Sequence, residues 1–452
     1  MVSLTFYGGA GEIGGNKILL EDKGTKVYLD FGEEFDFGED YFYEWLKPRN
    51  VNGLEVYFEF GLLPKIPGLY SKALLEKTDL KYRKPNVDGV IISHNHSDHM
   101  GHLPFLDADI PVYMGHGTHR IIEIYHFLYP LLVNIGPHNS LNHFKSGKKF
   151  KIKHLEITPI HVEHSTPGAY GFIIKTSKGN IVYTGDFRIH GPRADMTEEF
   201  IKKAKVAKPY ALICEGTRME SEVEHNYTEK EVEKRVSEII SKSKGLVFGY
   251  FSMTNIDRFM SFYRAAVENK RVMVIDPKLA YILHNLRDKI EVLPDILNDK
   301  NIRVYYRLCK TCTFCEKDYY PWEREFIGKM INYDELRKNP KKYVMHLGFN
   351  RLMELIYIQP KKADFIYSSS EHFLEGEGNE QEKEVWENWM THFGIGFHKA
   401  HCSGHASKAD LERVVREINP KILIPVHTSK PEEFRKYHHN VMLPEKGKKI
   451  MV

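Results

Sequence analysis

Short apolar runs closed by turn residues fill the first half of the chain. "KVYLDFG" and "VDGVIISHNH" read as strands that end on polar residues, Asp30 and His94. "YGFIIKTSKGNIVYTGDF" reads as a hairpin, with Gly179 and Asn180 suited to its tight turn. Apolar runs meet a ligand-type residue again at Asp186 and Glu215, so several strand ends carry chemistry where loops converge. From Tyr227 the period changes. "TEKEVEKRVSEIISKSK" places apolar residues at helical spacing behind a capping Thr228. "GLVFGYF" then reads as a buried strand and "DRFMSFYRAAVENK" as a helix. Strand and helix alternate to about Ile366, which predicts a second α/β domain with parallel strands. A Ser407-capped helix, "SKADLERVVREINP", and the strand "KILIPVH" complete the pattern.

Composition narrows this picture only a little. At 452 residues the chain is too long for one ordinary core, so two domains are expected. The N-terminus lacks a signal-peptide pattern, and no apolar stretch approaches the roughly 18 residues that span a bilayer. The expectation is a cytoplasmic protein without a membrane partner. A net charge of +3 permits a polyanionic ligand without arguing for one. Basic character is local, in "RKNPKK" from Arg337 and "EKGKK" from Glu445. Five cysteines are an odd number, and Cys214 and Cys402 stand alone, so this is no secreted disulfide framework.

The chemistry concentrates in "ISHNHSDHMGH", Ile92 to His102. Its His94, His96, Asp98 and His99 are zinc's usual non-thiolate ligand types on one loop, at a density that packing does not explain. A two-metal site needs further ligands and a carboxylate able to bridge. His164, Asp186 and His427 are the candidates at other strand ends, and His102 reads as a bystander. "GGAGEIGGN" is not a nucleotide-binding loop, because the strand "KILLED" follows it directly where a helix should open.

These residues resemble the metallo-β-lactamase fold. The blocks "GGAGEIGGN" with "LDFG", then "HSTPGAYG", "YTGDF", "GYFSMTNIDR", "HCSGHAS" and "IPVH" run in order from Gly8 to His427 and resemble the β-CASP nucleases, within them the ribonuclease J-like group. The resemblance implies an α/β fold: a four-layer αβ/βα domain over residues 1–215 and 395–452, with an inserted α/β β-CASP domain over 216–394. It implies that Asp30 supports the metal loop. His94, His96 and His164 would bind one Zn2+, while Asp98, His99 and His427 bind a second, with Asp186 bridging; Mn2+ or Mg2+ are alternatives. Glu215, His405 and His427 match three positions that set β-CASP enzymes apart, and a histidine at the third accompanies RNA-cleaving members. The implied activity is hydrolysis of RNA phosphodiester bonds by two-metal hydroxide attack, with Asp98, Asp186, Glu215 and His405 catalytic. His405 would protonate the departing 3′-oxygen and Glu215 would orient it. Ser252, Asn255, His401, Ser403 and Gly404 would hold substrate phosphates. Whether cleavage is 5′-to-3′ exonucleolytic or internal stays open. A hydrolase of small thioesters or lactones and a DNA-directed nuclease are the competing readings; Glu215, His405 and the long insertion argue against the first.

Some features fall outside the resemblance. Cys309, Cys312 and Cys315 form "CKTCTFC", which can wrap a further structural metal given a fourth ligand, or stay as reduced thiols, or serve a redox role. The segment from Glu33 to Lys77 is long for its place between the first two motifs and reads as a packed insertion, with a lid or interface as alternatives. The chain stops soon after His427, short of the further C-terminal domain common in that group. A homodimer through the inserted domain is compatible with the resemblance.

Overall fold

In a computed structural model, residues 1–43, 45–130, 133–220, 227–370 and 380–452 are described. The fold is α/β, with three sheets and helices between their strands. The chain divides into two units, one of Met1–Ile189, Arg193–His225 and Gly404–Val452, the other of His190–Pro192 and Asn226–Ser403.

The first unit holds two mixed sheets. One has seven strands in the order Lys449–Met451, Val2–Gly8, Lys17–Asp22, Thr25–Leu29, Gly89–Ile91, Val112–Gly115, Leu141–Phe144. The other has six, in the order Ile422–Val426, Ala211–Glu215, Asn180–Tyr183, Ala169–Lys175, Leu155–Val162, Phe150–Ile152. Alternation along these strands sends Leu4, Phe6, Ile18 and Leu29 of the first sheet, and Ile157, Phe172, Ile174 and Ile213 of the second, into one shared core. The opposite faces are covered separately. Ile122 of the helix His116–Leu128 packs on the first sheet. Phe200 of Ala194–Ala207, with Leu411 and Val414 of Lys408–Ile418, packs on the second. Helix, sheet, sheet and helix are therefore the four layers.

The hairpin reading holds: Ala169–Lys175 pairs antiparallel with Asn180–Tyr183, and Gly179 sits at φ +146° in the turn. "KILLED" is the strand Lys17–Asp22. The segment after Glu33 is a packed insertion, since Leu54, Phe58, Leu63, Leu69 and Tyr70 join the core outside the seven-stranded sheet.

The second unit is built on seven strands in the order Met330–Ile331, Ile302–Tyr305, Val272–Ile275, Tyr343–His346, Val247–Tyr250, Asp364–Tyr367, Gly396–Lys399. Every pairing in it is parallel. The helix Glu229–Lys242 opens on a full capping box between Thr228 and Glu231, and Lys408–Ile418 in the first unit does the same with Ser407 and Asp410. Gly396–Lys399, which the resemblance assigns to the returning part of the first domain, is instead the edge strand of this parallel sheet, paired with Asp364–Tyr367. Its side chains are largely exposed, so it has no apolar alternation to reveal it.

Candidate metal centre

Two backbone segments shape the loop after the strand Gly89–Ile91. The amides of Phe31 and Glu33 donate to the carbonyls of His99 (2.8 Å) and Ser97 (2.9 Å), and the Asn16 amide donates to Asp98 O (2.9 Å). Gly32 lies so close that a Cβ there would stand 1.8 Å from Asp98 O. The glycines of "GGAGEIGGN" serve the same approach: a Cβ on Gly14 would reach Asp98 Cβ at 3.2 Å, and Gly9 O accepts from the amide of His427 at 2.8 Å. Asp30 and His427 themselves sit at φ +58° and +52°, a left-handed geometry that non-glycine residues adopt where the surroundings enforce it. Gly32→Ala should therefore displace the whole loop, lowering stability by about 3 kcal/mol in urea unfolding and reducing the bound divalent metal.

Asp30 sets the proton positions. Its carboxylate accepts from the Ser93 amide (2.6 Å), the Ser93 hydroxyl (2.8 Å), the Tyr183 hydroxyl (2.6 Å) and His99 Nδ1 (2.7 Å). Because the Ser93 proton goes to Asp30, Ser93 Oγ accepts from His94 Nδ1 at 3.0 Å. His164 Nδ1 donates to Gly404 O at 2.7 Å. Thr217 gives its proton to Glu215 Oε2 (2.8 Å) and accepts from His427 Nδ1 (2.8 Å). In His94, His164 and His427 the second ring nitrogen, Nε2, is thereby left with a lone pair turned inward, and the neutral form of His99 presents its Nε2 likewise.

Ligand atoms converge in two main groups, His94, His96 and His164 in the first, and Asp98, His99, Asp186 and His427 in the second; His164 and Asp186 also meet His405 in a third. His96 Nδ1 lies 3.0 Å from His94 Nε2 and 3.1 Å from His164 Nε2. Three ring nitrogens meeting at that distance cannot all be satisfied by protons; a soft cation satisfies them together. In the second group His427 Nε2 is 2.9 Å from Asp98 Oδ2, and His99 Nε2 is 3.0 Å from Asp186 Oδ2. Asp186 faces both groups, its Oδ2 also standing 3.8 Å from His94 Nε2, and its buried Oδ1 has no hydrogen-bond partner. The donor set fits two divalent cations.

The electrostatics agree with that fit. Burial pushes the pKa of His94 and His164 well below the usual imidazole value, and that of His96 to about 4, favouring the neutral ligand form. Asp98 and Asp186 move the other way from what burial dictates, held well below the ordinary carboxylate range by His99 and His427. His99 rises well above its usual value despite burial, because Asp186, Asp98 and Asp30 surround it. Nitrogen donors thus crowd one side of the centre, and the other side demands positive charge.

His405 and Glu215 complete the centre. Glu215 Oε1 accepts from His405 Nδ1 (3.3 Å) and from the amide of Phe187 (3.1 Å), while the Thr217 amide donates to Oε2 at 3.1 Å. His405 Nδ1 stands 3.8 Å from Asp186 Oδ2, and its side chain is 21% exposed. Burial opposes its charged form, yet Glu215 and then Asp186 lift its pKa to about 9. Thr217, Ser93, Tyr183 and Asn16 were not singled out from sequence. Only the neighbouring motifs "CEGT", "ISH", "YTGD" and "GGN" mark them. His102 is buried between Phe37 and Phe105 rings, at 4.5 and 5.0 Å, and belongs to neither ligand group.

The other residues expected at a substrate site divide between roles. Gly404 brings backbone against His164: a Cβ would be 3.2 Å from His164 Cε1. In the second unit, Asn255 caps the helix Ile256–Glu268 by accepting from the Arg258 amide, and Ser252 Oγ lies 2.7 Å from Thr254 Oγ1. Ser403 O accepts from His190 Nε2 at 2.7 Å. Arg258 is fully buried, paired with Glu229 (2.7 Å) and donating to Ser368 O (2.7 Å) and His401 Nδ1 (3.1 Å). A guanidinium only donates, so His401 Nδ1 accepts and its Nε2 carries the proton. Cys309, Cys312 and Cys315 are free thiols in the second unit, Cys312 exposed, and are absent from the groups of described residues whose ligand atoms converge. Left-handed backbone at Cys312 and Phe314 turns the loop between them, and the further structural metal expected there is not supported.

The description "Beta-lactamase superfamily domain" matches residues 66–225, and "Zn-dependent metallo-hydrolase RNA specificity domain" matches 396–444. Both matched segments are those of the metallo-β-lactamase superfamily with its RNA specificity domain. Over nearly its full length the chain is a distant homologue of ribonuclease J enzymes. It is 24% identical to ribonuclease J of Mycoplasma genitalium across 93% of this chain and 67% of that protein. It is 24% identical to ribonuclease J 2 of Streptococcus pyogenes across 99% and 75%. A solved structure of a protein of unknown function from Enterococcus faecalis superposes over all of both chains with TM-score 0.76 at 22% identity, which shows the shared fold. Among the described residues no helix is long and apolar enough to cross a membrane.

Proposed function

We propose that this chain is a zinc-dependent ribonuclease that hydrolyses phosphodiester bonds of RNA. His94, His96 and His164 would hold one cation, Asp98, His99 and His427 the other, and Asp186 would bridge them. Such a pair supplies Lewis acidity towards the phosphate and makes water easier to deprotonate at neutral pH. The nitrogen-rich donor set favours Zn2+ over Mg2+.

The observation that carries the reading is the pair Glu215 and His405 beside Asp186. His405 bears a proton that Glu215 stabilises, and its partial exposure lets it reach a substrate oxygen. A phosphodiester's departing 3′-oxygen needs that proton; the thiolate of a small thioester does not. The relatives named ribonuclease J and the RNA specificity match across His405 and His427 support RNA as substrate. In the second unit, the Nε2 proton of His401, with Ser252, Asn255 and Ser403, would grip backbone phosphates, giving little base preference.

The test is incubation with 5′-labelled RNA carrying a monophosphate or a triphosphate, and with matching DNA, with and without chelator. Chelator-sensitive RNA cleavage is expected; mononucleotide release marks a 5′ exonuclease and internal fragments an endonuclease. Cleavage of DNA alone, or none at all, overturns the reading. His405→Ala should lower turnover about 10²–10⁴-fold with bound zinc unchanged. Glu215→Gln removes the charge that raises the pKa of His405, so the loss of activity at high pH should begin at lower pH than in the native enzyme.

A further inference from the structure

A crevice of about 680 Å³ opens in the second unit at the carboxyl ends of the parallel strands Val272–Ile275, Ile302–Tyr305 and Tyr343–His346. That volume is within the range of small-ligand sites. Its position carries meaning in a sheet of this order. The chain leaving Val272–Ile275 passes outward to Ile302–Tyr305, while the chain leaving the adjacent Tyr343–His346 returns past Val247–Tyr250 to Asp364–Tyr367. The two connections diverge, and open parallel sheets take ligands in the crevice made at such a switch point.

The lining defines the ligand's chemistry. Lys278, Arg307 and Arg351 meet there, from three different connections. Six basic residues line the crevice against two acids, Asp318 and Glu323. Burial, with Arg351 and Arg307, holds the pKa of Lys278 below its usual value against the pull of Asp276 and Glu323. Asp276 is already engaged with Arg351 at 3.2 Å. The lining also includes an aromatic wall, where Tyr320 and Trp322 lie with ring planes 5° apart and centroids 6.4 Å apart, and Tyr320 is 69% exposed. The hydroxyls of neighbouring Tyr305 and Tyr306 are occupied by Glu354 and by Glu323 O, which fixes that wall in place. Cations and flat aromatic faces in one crevice match a molecule that joins an anionic group to a planar ring.

We propose that this crevice binds a nucleotide, with its phosphate against Lys278, Arg307 and Arg351 and its base against Tyr320 and Trp322. The nucleotide can come from a free mononucleotide or from a unit within an RNA strand; the recognition chemistry is shared. The inference rests on the second unit alone and does not depend on the nuclease reading.

Tryptophan fluorescence of the full chain tests it, with adenosine 5′-monophosphate, adenosine, and 2′-O-methyl pentaadenylate as probes. Adenosine 5′-monophosphate should quench saturably. The quench should vanish in Trp322→Phe, and its midpoint should rise at least about tenfold in Lys278→Gln/Arg307→Gln and for adenosine. Circular dichroism establishes that both variants fold. Should the double variant fail to fold, Arg307→Gln alone takes its place. A tenfold tighter midpoint for the oligomer assigns the site to an RNA strand, and an equal or weaker one assigns it to the free nucleotide. No saturable quench, an unchanged quench in Trp322→Phe, or unchanged midpoints in the double variant or with adenosine overturns the proposal.

Discussion

Asp186→Asn should fold normally by circular dichroism, bind less divalent metal, and lose hydrolysis by at least about 10³-fold. The substitution preserves volume and removes the one carboxylate that faces both ligand groups. Asp186 Oδ2 lies 3.0 Å from His99 Nε2, 3.6 Å from His427 Nε2 and 3.8 Å from His94 Nε2, so its charge is shared across the centre. An amide can offer an oxygen to one cation but carries no charge to hold two close together. Metal content measured by mass spectrometry after dialysis separates this from a purely structural effect. Activity within tenfold of the native enzyme, or unchanged metal content, would show that the bridge lies elsewhere.

The second large effect belongs to the inserted unit. Glu229→Ala should lower stability by about 3–5 kcal/mol, read from the urea midpoint, because it strands the buried charge of Arg258. Both side chains are almost completely buried, at 0% and 3% exposed. Glu229 also accepts from Ser261 (2.9 Å) and Cys402 Sγ (3.2 Å), so its removal takes an acceptor from three side chains at once. Replacing the pair together, Arg258→Met with Glu229→Leu, should lose much less, since no charge is left unpaired. A loss below about 1 kcal/mol in Glu229→Ala would mean that water reaches Arg258.

Much of this architecture can be read along the chain because it is local. The capping boxes at Thr228 and Ser407 involve partners three residues apart, and the hairpin and the parallel strands declare themselves by period. The ligand run His94 to His99 is local too. The parts that stayed hidden are those made by distant segments. Thr217 joins Glu215 to His427 across 210 residues, which no spacing announces. Gly404 stands among the residues expected to hold phosphate, and nothing near it in the sequence announces that His164, 240 residues earlier, donates to its carbonyl. The strand Gly396–Lys399 escapes notice because an exposed edge needs no apolar face, only backbone pairing. Conversely, the cysteine spacing that looked like chemistry has no convergence of thiols behind it.

The insertion also orders events during synthesis. Ala211–Glu215 pairs with Ile422–Val426, and His405 and His427 follow the inserted unit, whose main segment is Asn226–Ser403. At about 5–20 residues per second, a ribosome spends roughly 10–35 s making that segment before the missing pieces emerge. Throughout that interval the nascent chain carries a bare sheet edge at Ala211–Glu215 and an incomplete metal cage, while the inserted unit, with its own core, is free to fold first. The proposed ligand set is therefore complete only once His427 has emerged, and a ribosome stalled within the insertion leaves a chain that lacks both His405 and His427.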